Sequence, residues 1–212
     1  LELYNTSEFP VSLGGWSLQI GNSLKEIPAV QIGAQSYLIL CKPEFESDFA
    51  PFGTTAGLDG LSLANDGKML QLLNAEGNMI SFVNYDISWY DDPDKNEGGW
   101  SLEQIDPLAP CIGKQNWKAS ENSLGGTPGS ENSVKGSNTS SPEINTVSLL
   151  DANKLSIKFN HLMHEASVSD VNAFEVMPGN ILADSIRPAE NDLSNFILYF
   201  DQDFEEGINY DL

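Results

Sequence analysis

From Gly98 to Val134 the chain reads GGWSLEQIDPLAPCIGKQNWKASENSLGGTPGSENSV. Pro107, Pro110 and Pro128 each remove a backbone donor and push the residue before them away from helical angles, so this stretch is not a helix. It predicts a strand over Trp100 to Ile105, then a long ordered loop that the cluster Gly125-Gly126-Thr127-Pro128-Gly129 brings to a stop. A Trp buries about 150 to 250 Å² and needs its N–H satisfied, so Trp117 is expected to anchor the loop to a core.

Upstream, every segment reads as β. Leu1, Leu3 and Asn5 share one face of a first strand; Trp16, Leu18 and Ile20 alternate after Gly14-Gly15. Ile27 to Ile32 and Tyr37 to Cys41 are predicted strands around the turn Gly33-Ala34-Gln35, the second apolar without alternation, as in a strand buried on both faces. Glu44 to Phe52, with Phe45, Phe49 and Phe52 at helical spacing, predicts one or two helical turns lying as a lid over one end. Lys68 to Leu73 and Asn78 to Tyr85 flank Asn74-Ala75-Glu76-Gly77, a hairpin with Gly where φ must be positive. No strand–helix–strand spacing appears, which excludes a doubly wound nucleotide-binding fold.

Four linked words in the Gly98 to Val134 region carry a family resemblance: Ser101-Leu102-Glu103, Asn116-Trp117-Lys118-Ala119-Ser120, Gly126-Thr127-Pro128-Gly129 and Asn132-Ser133. With Leu3-Tyr4-Asn5-Thr6-Ser7, Leu13-Gly14-Gly15-Trp16-Ser17-Leu18, Gly33 to Leu40 and Leu61 to Gly77, nearly all of residues 1–134 resembles the bacterial lamin-tail domain. The resemblance implies an immunoglobulin-like β-sandwich and no catalytic positions.

Residues 135–142, KGSNTSSP, have linker composition. Beyond them, Ile144 to Leu149 and Lys154 to Asn160 flank Asp151-Ala152-Asn153; Leu155, Ile157 and Phe159 alternate with polar residues. Phe196 to Phe200 and Ile208 to Leu212 are further predicted strands. Residues 143–212 resemble bacterial Ig-like repeats, in Leu155 to Asn160, Met163, Ala166-Ser167 and Asn209 to Leu212. A complete sandwich of this type has roughly 100 residues, so this one is expected to lack at least its last strand. The expected architecture is all-β: two immunoglobulin-like β-sandwich domains in tandem.

The chain of 212 residues carries a formal charge of −21 and a single Arg, Arg187. Residues 1–134 hold 6 basic and 18 acidic side chains, and residues 135–212 hold 4 and 13, so both parts are acidic. Nucleic acid is excluded as a partner, because its binding rests on Lys and Arg at phosphates. An anionic membrane surface is disfavoured for the same reason, and no apolar run is long enough to span a bilayer. The sequence starts and stops inside strands without an initial Met, so it is read as an excerpt of a longer protein.

Chemistry is sparse. His161 and His164 lie three apart beside Glu165, but no third ligand follows at a recognisable spacing, and zinc is not predicted. Asp92, Asp94, Asn96 and Glu103 occupy the first, third, fifth and twelfth places of a calcium loop, held by oxygens alone. Against calcium, Glu97 stands where the sharp turn requires Gly, and Glu103 belongs to a strand word; a solvated acidic loop is the competing reading. No G-x-S-x-G word exists and the first domain has no His, so serine catalysis lacks its parts. Gly125 to Gly129 is no phosphate loop, since no Lys-Ser or Lys-Thr ends it. The best small-ligand candidate is Trp89, Tyr90, Asp91 and Asp92, a platform for sugar stacking, with core packing by Trp89 as its rival. The surrounding loop, Trp89 to Glu97, supplies acceptors and rings but neither a base of suitable pKa nor a fixed cation. Cys41 and Cys111, an even count in a chain that resembles exported ones, permit one disulfide closing about 70 residues, worth roughly 4 kcal/mol; two buried free thiols are the alternative.

The leading functional expectation is a non-enzymatic binding, adhesion or spacer pair in a secreted or cell-surface bacterial protein, with a protein or glycan partner. The alternatives are the accessory region of a secreted hydrolase of nuclease or phosphatase type whose catalytic domain lies outside the excerpt, and a carbohydrate-binding module.

Overall fold

The computed structural model describes residues 1–163, 165–190 and 192–212. It is all-β in substance: strands form several sheets, and the one α-helix among the described residues is the four-residue turn Glu46–Phe49. The chain divides into two compact units, one of Leu1–Pro110 with Lys114–Asn138, the other of Cys111–Gly113 with Thr139–Leu212. The division falls after Asn138, within the stretch of linker composition, yet that stretch is bonded. Gly136 N–H donates to the Ile105 carbonyl and Asn138 N–H to Asp106 Oδ2 on one side. On the other, Ser140 Oγ lies 3.0 Å from His161 Nε2.

In the first unit, Tyr37–Cys41 pairs antiparallel with Glu2–Tyr4 and parallel with Thr55–Gly57, the helical turn Glu46–Phe49 lying in the crossover. A second sheet runs in the order Ser23–Glu26, Ser17–Ile20, Gly67–Leu73, Met79–Asp86. Its hairpin closes on Asn74, whose Oδ1 accepts from the N–H groups of Glu76 and Asn78, with Gly77 at φ +82°. Two short pairs complete the unit, Val11–Ser12 with Gln31–Ile32 and Leu102–Gln104 with Trp117–Ala119. Of the strand predicted from Ile27 to Ile32 only Gln31–Ile32 forms; the chain leaves the preceding strand Ser23–Glu26 before Pro28, which has no N–H to give a ladder. Leu38, Leu40, Leu13, Ile27 and Leu58 are almost wholly buried, each side chain worth about 1.5 to 3 kcal/mol.

In the second unit the sheet order is Ile144–Asp151, Lys154–Phe159, Asp192–Tyr199, Ser185–Ala189, and a small pair joins Glu175–Val176 to Ile181–Leu182. Leu155, Ile157 and Phe159 point into a core with Phe196 and Leu198, the Phe159 and Phe196 rings meeting edge to face. Residues 208–212 form no strand. Asp211 makes a single bridge to Met177, and Tyr210 is held instead by its ring against Phe204.

Candidate functional site

The loop that follows Met79–Asp86 is built by local hydrogen bonds. Asp86 Oδ1 accepts from Ser88 N–H and caps a turn of 3₁₀ helix, Ile87–Tyr90, which Asp91 ends at φ +50°. Asp92 Oδ1 then accepts from Asp94 N–H, and the Asp92 carbonyl from Lys95 N–H. The turn places Trp89 against Trp117, ring centroids 6.3 Å apart, and lets Tyr90 Oη donate to the Trp100 carbonyl at 3.1 Å. Burial pushes the Tyr90 phenol up from its ordinary value.

Both Trp89 and Tyr90 are half-buried, so the rings expected to form an open platform also fasten the loop to the hairpin beneath it. Trp117, expected to anchor a loop to the core, instead opens the strand Trp117–Ala119, half-buried, with Trp89 as its ring partner. Asp91, Asp94 and Glu97 face solvent, and Asp92 is half-exposed.

Lys95 corrects the expectation that the loop holds no fixed cation. Its ammonium donates to the Ser120 carbonyl at 2.8 Å, lies 4.6 Å from the centroid of the Trp100 ring and 3.8 Å from Asp92 Oδ2. No spacing rule links residue 95 to residue 120, and only the folded loop brings them together.

The calcium loop is not assembled. Glu103 is 4 % exposed, and both its oxygens are spent on protein donors: Oε2 accepts from Ser133 N–H and Oγ, each at 2.7 Å, and Oε1 from Thr127 Oγ1 at 2.9 Å. Burial raises its pKa, but the bonds from Ser133, Ser120 and Thr127 outweigh this and hold the carboxyl below the usual range. With a fourth, longer contact from Ser101 Oγ at 3.4 Å to Oε1, the carboxylate's acceptor sites are taken by protein donors and it is not presented to a cation at the twelfth place. Among the described residues no three His, Cys, Asp or Glu side chains are grouped to hold a metal. Asn96 Oδ1, the third of the loop's predicted oxygens, is a buried acceptor without a hydrogen-bond partner.

Glu103 instead ties the Gly-Thr-Pro-Gly segment and Ser133 to the strand Leu102–Gln104. Asn116, fully buried, does the same for the preceding loop: Nδ2 donates to the carbonyls of Asp106 and Ala109, and Oδ1 accepts from Asp106 N–H. Gly129 sits at φ +73°, where a Cβ would collide with the Phe52 carbonyl oxygen, which explains why glycine stands there.

Cys41 and Cys111 are free, which corrects the expected disulfide. Cys41 is buried on the central strand of the first unit, and burial pushes its thiol up; Cys111 is exposed on a segment that belongs to the second unit. His161 is buried against Ser140, and burial lowers its pKa, with Glu143 acting weakly the other way. His164, its partner in the pair considered for metal, lies outside the described residues.

Behind the loop, the Tyr90 and Trp117 rings reach the wall of a cavity of about 590 Å³ in the first unit. Among the described residues no helix is long and apolar enough to cross a membrane. No protein-family model, no curated protein and no solved structure matches the chain.

Proposed function

We propose that the chain is a non-enzymatic pair of modules, a lamin-tail-like β-sandwich followed by an immunoglobulin-like one, used for binding, adhesion or spacing in a secreted or cell-surface protein of bacterial type. The observation that carries this reading is the state of the Trp89 to Trp100 loop. Its backbone is fixed by Asp86, Asp92 and Lys95, its rings are braced on Trp117 and Trp100, and Asp91, Asp94 and Glu97 are presented outward. A preorganised loop on a rigid frame is the usual place for a contact, and one of this charge suits a basic protein surface. The buried ionisable groups support the same reading, since Glu103 and His161 are both engaged in holding loops in place. The exported setting and the two immunoglobulin-like folds rest on the resemblances in residues 1–134 and 143–212.

The test is a binding screen of the wild-type chain and the triple variant Asp91→Asn, Asp94→Asn, Glu97→Gln against bacterial surface-protein extracts and glycan arrays. A protein partner held by the wild type and weakened about tenfold or more in the variant supports the loop as the contact. A partner held equally by both moves the contact elsewhere, and binding confined to glycans replaces the protein-partner reading with the carbohydrate one. Turnover of a generic esterase, phosphatase or glycosidase substrate, lost on changing one carboxylate, overturns the non-enzymatic assignment.

A further inference from the structure

We infer that the cavity inside the first unit is a binding site for a neutral, apolar small molecule. Its volume of about 590 Å³ lies in the middle of the range of small-molecule sites, and it opens to solvent past the exposed Tyr4, Thr6, Ile80 and Ser81. Its walls come from several separate strands: Leu3 from the first sheet, Leu72 and Phe82 from the second, Val11 and Leu102 from the two short pairs. Leu3, Val11 and Leu72 pack against the buried core, line the pocket and are half-exposed.

The lining is mainly apolar and several of its polar groups are already bonded, so an apolar occupant gains by displacing water from it. Tyr85 Oη donates to the Ala64 carbonyl at 2.7 Å and Tyr90 Oη to that of Trp100, so both phenol hydroxyls of the lining have given their proton to protein acceptors. Asn5 gives Nδ2 to the Phe9 and Gly33 carbonyls, and its Oδ1 accepts from Ser7. No Lys, Arg or His side chain in the lining offers an anion a counter-charge, and its one acidic side chain, Glu2, accepts from Gly129 N–H. Asn65, Ser81 and Gln104 remain as hydrogen-bonding groups for one polar end of an otherwise apolar ligand. At about 30 Å³ per water-sized group the space holds roughly twenty non-hydrogen atoms.

The cavity and the Trp89 loop are separate readings. A chain that takes up dye but shows no partner at the loop defeats the loop's role alone, and the reverse result defeats only this one.

The experiment is a fluorescence titration of the whole chain with N-phenyl-1-naphthylamine, a neutral fused-ring probe, beside its anionic relative 1-anilinonaphthalene-8-sulfonate. One saturable site for the neutral dye is expected, with affinity about tenfold or more above that for the sulfonate. Leu63→Phe and Leu72→Trp, which add volume at two points of the lining, are expected to weaken the neutral dye about tenfold or more while the melting temperature holds or rises, because a true void accepts added side-chain volume. Absence of saturable binding, equal affinity for the two dyes, wild-type dye affinity in both variants, or unfolding of both variants by overpacking each overturns the inference.

Discussion

Between Leu102 and Ser133 a carboxylate and an amide, Glu103 and Asn116, lie buried and collect donors and acceptors from residues up to 30 positions away. In Ile144–Asp151, by contrast, every residue is exposed, although Val147 stands opposite the fully buried Ile157 and Leu149 opposite the buried Leu155 on the same face of the sheet. The polar segment is interior and the apolar one is surface. Burial here follows bonding partners and sheet position more than hydropathy: a buried polar group is stable when every partner is supplied, and an edge strand has a neighbour on one side only.

The comparison breaks first at the buried polar groups. Glu103→Gln replaces an acceptor by an amide facing donors, and Asn116→Ala removes both ends of a three-bond brace; each is expected to cost about 3 kcal/mol in denaturant unfolding of the first unit. A loss below about 0.5 kcal/mol in either would mean that water replaces these bonds freely.

Acid separates the two units next. Glu103 has its pKa lowered in the fold from the ordinary 4.5, so the unfolded chain binds more protons, and its contribution to the first unit is complete above about pH 4.5 and is lost below that, as the pH falls through its lower folded-state value. His161 is also lowered, from 6.5, by burial, so the second unit is most stable above about pH 6.5 and weakens earlier on acidification. All four tryptophans lie in residues 1–134, so their fluorescence follows the first unit, and amide NMR signals of residues 144–200 follow the second. Coincident acid transitions would show that His161 does not govern the second.

Thiol labelling sharpens the contrast without a mutation. Cys111 is expected to react with iodoacetamide in the native protein, and Cys41 only after unfolding, as read by mass spectrometry of digests. The smallest effect is expected on the exposed strand: Val147→Thr with Leu149→Thr changes stability by less than about 0.5 kcal/mol and lowers self-association in light scattering. A large loss of stability there would mean that the strand's apolar face is covered in solution.

Much of the β framework is legible in the sequence where a signal is local. Asn74 to Gly77 carries its own turn chemistry, Tyr37 to Cys41 its unbroken apolar run, and Leu155 to Phe159 its alternation. Thr55–Gly57 is not legible, because three residues have no period and the parallel pairing depends on where the crossover returns the chain. The loop containing Trp89 to Asp92 stands out by its composition. The roles of Lys95, Glu103 and Asn116 do not, since a buried polar side chain is identified only by partners distant in sequence, and the same letters read equally well as a calcium loop or a solvated surface.

Glu2 Oε2 accepts the Gly129 N–H at 2.5 Å across 127 positions of chain. During synthesis, at about 5 to 20 residues per second, the strand Glu2–Tyr4 meets Tyr37–Cys41 early, but its carboxylate waits on the order of ten seconds for its partner to emerge. The Gly-Thr-Pro-Gly segment thus acts as a late clasp, closing on the first strand only after most of the rest of the unit has been made.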